Sequence, residues 1–211
     1  MINYIIFDVG EVLIEGIRDI GEALAEKHNI EIADRTFAHV SPTPLLTPLV
    51  KEFFAGSVTE DAYWDEVVKT YPQLGTKDEL KRLVRDNFVE VKGTREIVVK
   101  LKNLGYKLGV LSVHGKEWIE YCEQKYDFHK LFDQVSFSYH AGNLKPDKES
   151  FLEILEKLKA PAQQTLFIDD SETNIKAAEA LGIQGLLFTS AEDLNANLAK
   201  ILSNYQNPTC A

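Results

Sequence analysis

Five short apolar runs constrain this chain more than any other feature. They are Tyr4-Ile5-Ile6-Phe7, Leu108-Gly109-Val110-Leu111, Val135-Ser136-Phe137, Thr165-Leu166-Phe167-Ile168 and Gly185-Leu186-Leu187-Phe188. Most lack the alternation of a strand with one wet face. Continuous runs of this length suit strands buried on both faces, as in a parallel sheet covered by helices. Helical periodicity fills the gaps between them. Ile97, Val98, Leu101 and Leu104 repeat through residues 94–104, up to Gly105. Phe151, Leu152, Ile154, Leu155 and Leu158 do the same through 148–158, and Ile175, Ala177, Ala178 and Leu181 through 171–181, up to Gly182. Strand alternating with helix predicts an α/β fold, a doubly wound parallel sheet.

Residues 16–91 break that rhythm. They hold no convincing buried strand but four helical stretches, at 17–28, 45–54, 60–70 and 77–88, punctuated by Pro42, Pro44, Pro48, Pro72 and Gly75. The segment reads as a helical insert following the first strand. The expected organisation is a core of residues 1–15 and 92–203, an insert of 16–91, and a frayed tail of 204–211.

Composition narrows the function classes. The 211 residues are 45% hydrophobic and 27% charged, an ordinary globular balance. Lys and Arg number 23 against 33 Asp and Glu, leaving −10. Such a charge argues against non-specific binding to nucleic acid or an anionic membrane, though not against a local anion pocket. Two cysteines, Cys122 and Cys210, are too few for a disulfide framework and point to a reducing cytoplasm. The first residues lack a basic region and carry Asp8 within their apolar run, which makes a poor signal peptide. No stretch is long and apolar enough to span a bilayer.

The chemistry gathers where the apolar runs end. Asp8 follows Ile5-Ile6-Phe7, Ser112 follows Val110-Leu111, and Asp169 and Asp170 follow Phe167-Ile168. In an open α/β sheet the carboxyl ends of the strands face the ligand crevice. If these strands are neighbours, three carboxylates converge there. Close like charges raise one another's pKa unless a cation offsets them, and a hard, oxygen-preferring Mg²⁺ is the natural one. Lys145, in Gly142-Asn143-Leu144-Lys145-Pro146-Asp147, is placed to reach the same crevice.

These segments, taken in order, resemble a known family. Phe7-Asp8-Val9-Gly10-Glu11-Val12-Leu13, Leu111-Ser112, Lys145-Pro146, and Phe167-Ile168-Asp169-Asp170-Ser171 with Asn174 are similar to the four motifs of haloacid-dehalogenase-like (HAD) hydrolases. The insert resembles that superfamily's small α-helical cap, whose opening and closing would exclude water. The resemblance implies a Mg²⁺-dependent phosphatase of a small phosphorylated metabolite, with Asp8 as the nucleophile that becomes an aspartyl-phosphate. It implies that Asp8, the Gly10 carbonyl and Asp170 hold Mg²⁺, with Asp169 assisting. Ser112 and the backbone beside it, at Val113 and His114, would bind phosphate oxygens, and Lys145 would pair with Asp8 and the transferring group. Asn174 would orient Lys145 or its loop, and Ser171 would cap the following helix.

One departure stands out. Most phosphatases of the superfamily carry a second Asp two residues after the nucleophile, as general acid and base; here that residue is Gly10. A general acid or base contributes about 10²–10⁴-fold, so turnover should be reduced or confined to good leaving groups such as a sugar 1-phosphate. Glu11 and His114 are the neighbouring candidates to replace it. Arg18, where the insert begins, is a candidate contact for an anionic substrate. His28, His39, His129 and His140 show no metal-ligand spacing, and Trp64 and Trp118 read as packing residues. A 2-haloacid dehalogenase is the alternative chemistry, since it does not need the second Asp. Against it stand the Asp169-Asp170 pair, which implies a metal, and Val113, where such dehalogenases usually have Asn. A phosphomutase would miss the acid at Gly10, and a non-catalytic phosphate-binding protein has no need of Asp8, Lys145 and Asp170 together. A monomer or weak homodimer is expected.

Overall fold

The structure, a computed structural model, describes residues 1–16 and 47–205. Five parallel strands form the central sheet: β1 (Tyr4–Phe7), β4 (Lys107–Ser112), β5 (Gln134–Phe137), β6 (Thr165–Asp169) and β7 (Gln184–Leu187). Their order is β5-β4-β1-β6-β7. All five apolar runs are strands of this sheet. The register pairs Phe7 with both Val110 and Ile168, so the ends of β4, β1 and β6 lie side by side.

Lack of alternation has the expected cause. Ile5, Phe7, Leu108, Val110, Leu166 and Ile168 face one buried cluster, while Ile6, Leu111 and Phe167 face another. The second cluster is closed by α7 (Lys148–Leu158) and α8 (Glu172–Ala180), through Phe151, Ile154, Leu155, Ile175 and Ala178. The first is closed by α4 (Thr94–Asn103), α5 (Lys116–Tyr126) and α9 (Ala191–Ile201). A four-residue helix, α6 (Ser138–Ala141), follows β5 directly.

Within the insert the described residues form α1 (Thr47–Phe54), α2 (Glu60–Thr70) and α3 (Lys77–Asn87). Local chemistry fixes the starts of two. The Thr59 hydroxyl accepts from the Ala62 N–H, and Thr76 and Glu79 form a reciprocal capping box. The expected helix at 17–28, the start of the one at 45–54, and Arg18, His28 and His39 lie outside the described residues, as do 206–211 with Cys210. The insert joins the core through a two-stranded antiparallel ribbon, β2 (Ile14–Glu15) with β3 (Val89–Glu90). Gly16 leaves that ribbon at φ 114°, and a Cβ there would lie 1.9 Å from the Asn87 carbonyl oxygen. Only glycine fits the place where the two connecting chains meet.

α1 to α3 share the large cluster with the core. Phe53, Phe54, Tyr63, Trp64 and Phe88 pack with Trp118 of α5, all buried. Phe53 stacks on Tyr63 at 5.1 Å and meets Trp118 edge-on at 5.0 Å. A buried carboxylate ties the same elements. Glu60 of α2 accepts from Trp118 Nε1 at 2.8 Å and from both Arg85 terminal nitrogens, at 2.8 and 2.6 Å. Burial would raise its pKa; the bonds from Arg85 and Trp118 outweigh that and hold it below the usual 4.5. At the end of the described residues Tyr205 is buried, its hydroxyl donates to Asn195, and Lys100 lies over its ring. No helix among the described residues is long and apolar enough to cross a membrane.

Candidate active site

The sheet order decides which strand ends meet. From β1 the chain goes to β4 and β5 on one side, then crosses to β6 and β7 on the other. Crevices form at such reversals of strand order. Asp8 extends β1, and its N–H donates to the Ile168 carbonyl at 2.9 Å. That bond keeps Asp8 level with Asp169, the last residue of β6.

Lys145 joins the two carboxylates. Its Nζ is 2.7 Å from Asp8 Oδ2 and 2.6 Å from Asp169 Oδ2, and its side chain is 3% exposed. Burial alone would lower its pKa; the charges of Asp169 and Asp8 prevail and hold the ammonium above its ordinary 10.5. Asp169 is fully buried, and its partners fix its direction. The Ser171 N–H donates to Oδ1 at 2.8 Å, and Asn174 Nδ2 donates to Oδ1 and Oδ2 at 3.0 and 3.1 Å. Asn174 thus holds Lys145 through Asp169 rather than directly. Ser171 stands at the N-cap of α8 as expected, but its hydroxyl makes no capping bond, and its own N–H is the one that Asp169 takes.

Asp8, Asp169 and Asp170 each place a carboxylate oxygen within 4.8 Å of the others. Asp8 carries the consequence: its pKa is raised to about 7, first by burial, with Lys145 pulling it down and Asp169 and Asp170 pushing it up. Among the described residues Lys145 pairs with this cluster through Asp8 and Asp169. The all-oxygen donor set suits a hard ion such as Mg²⁺.

Ser112 ends β4 beside β1 and is 1% exposed, yet its Oγ has no hydrogen-bond partner. A buried hydroxyl without a partner is uncommon and marks a position suited to an incoming acceptor. Val113, next to it, is half-buried against the large cluster. Gly10 lies in a tight turn where the Val9 carbonyl accepts from the N–H groups of Val12, Leu13 and Ile14. A Cβ added at Gly10 would meet nothing within 4 Å. The missing carboxylate therefore leaves open space. Glu11 follows in the left-handed region, at φ 57°.

His114 does not meet the expectation that it reaches substrate or replaces the acid. Its ring lies among Phe54, Phe88 and Trp118, 2% exposed, and neither ring nitrogen has a hydrogen-bond partner. Burial pushes its pKa down to about 3, offset only in part by the Gly115 backbone. With its pKa that low the imidazole stays neutral at neutral pH and holds no acidic imidazolium proton for a leaving group. The loop after β4 turns its side chain toward the insert, and chain adjacency to Ser112 does not reveal that. Ser138 escaped the sequence reading. It follows an apolar run just as Ser112 does, and that was the available signal.

Residues 5–188 match the model of a family described as haloacid dehalogenase-like hydrolases. The chain belongs to this family. Among HAD structures, a family enzyme from Bacteroides thetaiotaomicron superposes with a TM-score of 0.76 at 21% identity, over 93% of this chain and 98% of that one. That likeness shows the fold; the same enzyme has been solved with magnesium and inorganic phosphate. Flavin mononucleotide hydrolase 1 of Arabidopsis thaliana is 28% identical over 129 residues, 61% of this chain and 52% of that protein. A phosphorylated carbohydrates phosphatase of Thermotoga maritima is 31% identical over 108 residues, 51% of this chain and 50% of that one. The chain spans about half the length of these curated relatives.

Proposed function

We propose that this HAD hydrolase is a Mg²⁺-dependent phosphatase of a small phosphorylated metabolite. The observation that carries the reading is the convergence of Asp8, Asp169 and Asp170 with buried Lys145, beside the unpartnered Ser112 hydroxyl. The phosphatase relatives and the magnesium–phosphate complex of the structural neighbour agree with it.

Asp8 attacks phosphorus, forming an Asp8 O–P bond as the P–O bond to the leaving group breaks. Water then attacks the aspartyl-phosphate, releasing inorganic phosphate and restoring the carboxylate. Lys145 neutralises charge on Asp8 and the transferring group, held by Asp169, which Asn174 and the Ser171 N–H hold in turn. The Ser112 hydroxyl donates to a phosphate oxygen, as preorganised donors do in phosphoryl transfer. Asp8, Asp170 and the Gly10 carbonyl would hold Mg²⁺, with Asp169 assisting; when bound it adds positive charge where the phosphoryl group moves. With glycine at position 10, good leaving groups are favoured, and Glu11 is the neighbouring candidate to handle the proton. Residues 16–91 serve as the cap over a core of 1–15 and 92–203.

A phosphate-release screen over phosphorylated metabolites tests this, run with Mg²⁺, with EDTA and with Asp8→Asn. Metal-dependent release abolished in Asp8→Asn is the expected result. Release from none of the substrates would overturn the reading, and 2-haloacids without metal would be tried next.

A further inference from the structure

Ser138 is almost fully buried at the start of α6, and its hydroxyl bonds in two directions. It accepts from the His114 N–H at 3.1 Å and donates to the Phe54 carbonyl at 2.6 Å. His114 lies in the loop that leaves β4 just after Ser112, and Phe54 is the last residue of α1. Shape reinforces the link. A Cβ on Gly115 would stand 2.2 Å from the Phe53 ring, and one on Gly56 would stand 2.7 Å from the Tyr139 carbonyl oxygen. The end of α1 is therefore seated against both the loop after Ser112 and the start of α6.

We infer that Ser138 is a positioning residue, which ties insert helix α1 to the loop after β4 and so holds the Ser112 hydroxyl where a phosphate oxygen can take it. The inference rests on the phosphatase reading of the site. Ser112 Oγ has no bond to fix its own direction, so the backbone on either side must do so. Upstream, β4 pairs with β5, with Ser112 opposite Phe137. Downstream, the Ser138 bond holds the N–H two residues on. Losing that hydroxyl leaves a buried N–H and a buried C=O unpaired, and the loop shifts to recover partners. A donor out of place by a fraction of an ångström weakens phosphate binding and transfer. On this view the insert contributes to the phosphate site through the backbone of α1, as well as covering it.

The test uses the full chain with Mg²⁺. Calorimetry measures the Kd of inorganic phosphate, and steady-state kinetics on the best substrate give KM and kcat. Ser138→Ala should weaken phosphate binding and raise KM by about tenfold, the scale of one lost neutral hydrogen bond. Ser138→Thr, which keeps the hydroxyl, should restore both to within about twofold of wild type. Gly115→Ala, which pushes Phe53 away from the loop, should act in the same direction as Ser138→Ala. Should the alanine variant not fold, Ser138→Cys carries the test, since it keeps the volume and weakens both bonds. A folded Ser138→Ala or Ser138→Cys with unchanged phosphate Kd and KM overturns the inference and leaves the phosphatase reading intact. A wild type that neither binds nor releases phosphate overturns that reading first.

Discussion

Replacing His114 with phenylalanine should remove a pH dependence of stability that the structure locates in one ring. The imidazole, ordinarily at 6.5, is pushed down to about 3 by burial among Phe54, Phe88 and Trp118. Between those values the unfolded chain binds a proton at this histidine and the folded chain does not. The unfolded state thus gains as pH falls, so this contribution is fully present above 6.5 and lost progressively toward 3. At pH 5 the proton linkage amounts to about 2 kcal/mol, and the whole shift to about 5 kcal/mol. Urea unfolding of wild type and His114→Phe at pH 7.5 and pH 5 measures it. Other carboxylates and histidines titrate in both proteins and cancel in the difference. Wild type should lose about 2 kcal/mol more than the variant on going to pH 5. His114→Leu controls for the larger phenylalanine ring, because the slope with pH rather than absolute stability is what matters. Parallel losses in wild type and both variants would refute the placement of His114 as a buried neutral ring.

Other outcomes follow from the same geometry. Gly10→Asp has room for its Cβ, so its melting temperature should stay near wild type while phosphate release from poor leaving groups rises on the order of 10²-fold. An unchanged rate would show that another group already handles the proton. Lys145→Met strips the ammonium from between Asp8 and Asp169; it should abolish phosphate release and cost about 3–5 kcal/mol in urea unfolding. Gly16→Ala forces a Cβ onto the Asn87 carbonyl at a positive φ and should cost more than about 2 kcal/mol, read from the same unfolding curves. Glu60→Gln weakens the bidentate pair with Arg85 and should lower the melting temperature measurably, with kcat unchanged, because Glu60 stands outside the carboxylate cluster.

Much of the core was legible because burial on both faces leaves a local trace. The strand Thr165–Asp169 is buried at all five positions and runs Leu166, Phe167 and Ile168 in succession, which leaves a continuous apolar run in place of alternation. Helices α4, α7 and α8 were legible from their apolar periodicity and, for α4 and α8, a glycine just past the end. Helix α5 showed only as a helical pattern around Trp118, with no side-chain cap to mark its start, and α9 was passed over, with Leu194, Leu198 and Ile201 as its stripe. The ribbon of β2 with β3 is two residues a side, too short to show a period. Among the candidate site residues, Asp8, Lys145, Asp169 and Asp170 came together as anticipated, whereas His114 did not. A loop residue's sequence neighbours do not say which way its side chain turns.

By itself the sequence determined that these strands are buried on both faces and that acids sit at their carboxyl ends, since both are properties of a few consecutive residues. It also determined the absence of a carboxylate at position 10. Only the tertiary structure decided that β4, β1 and β6 are adjacent, and hence that Asp8, Asp169 and Asp170 share one cluster around Lys145. The same holds for the seat of α1 on the loop after Ser112. Strand order depends on how whole layers pack and on which crossovers the connections permit, over more than a hundred residues of chain, and no local pattern of side chains encodes it.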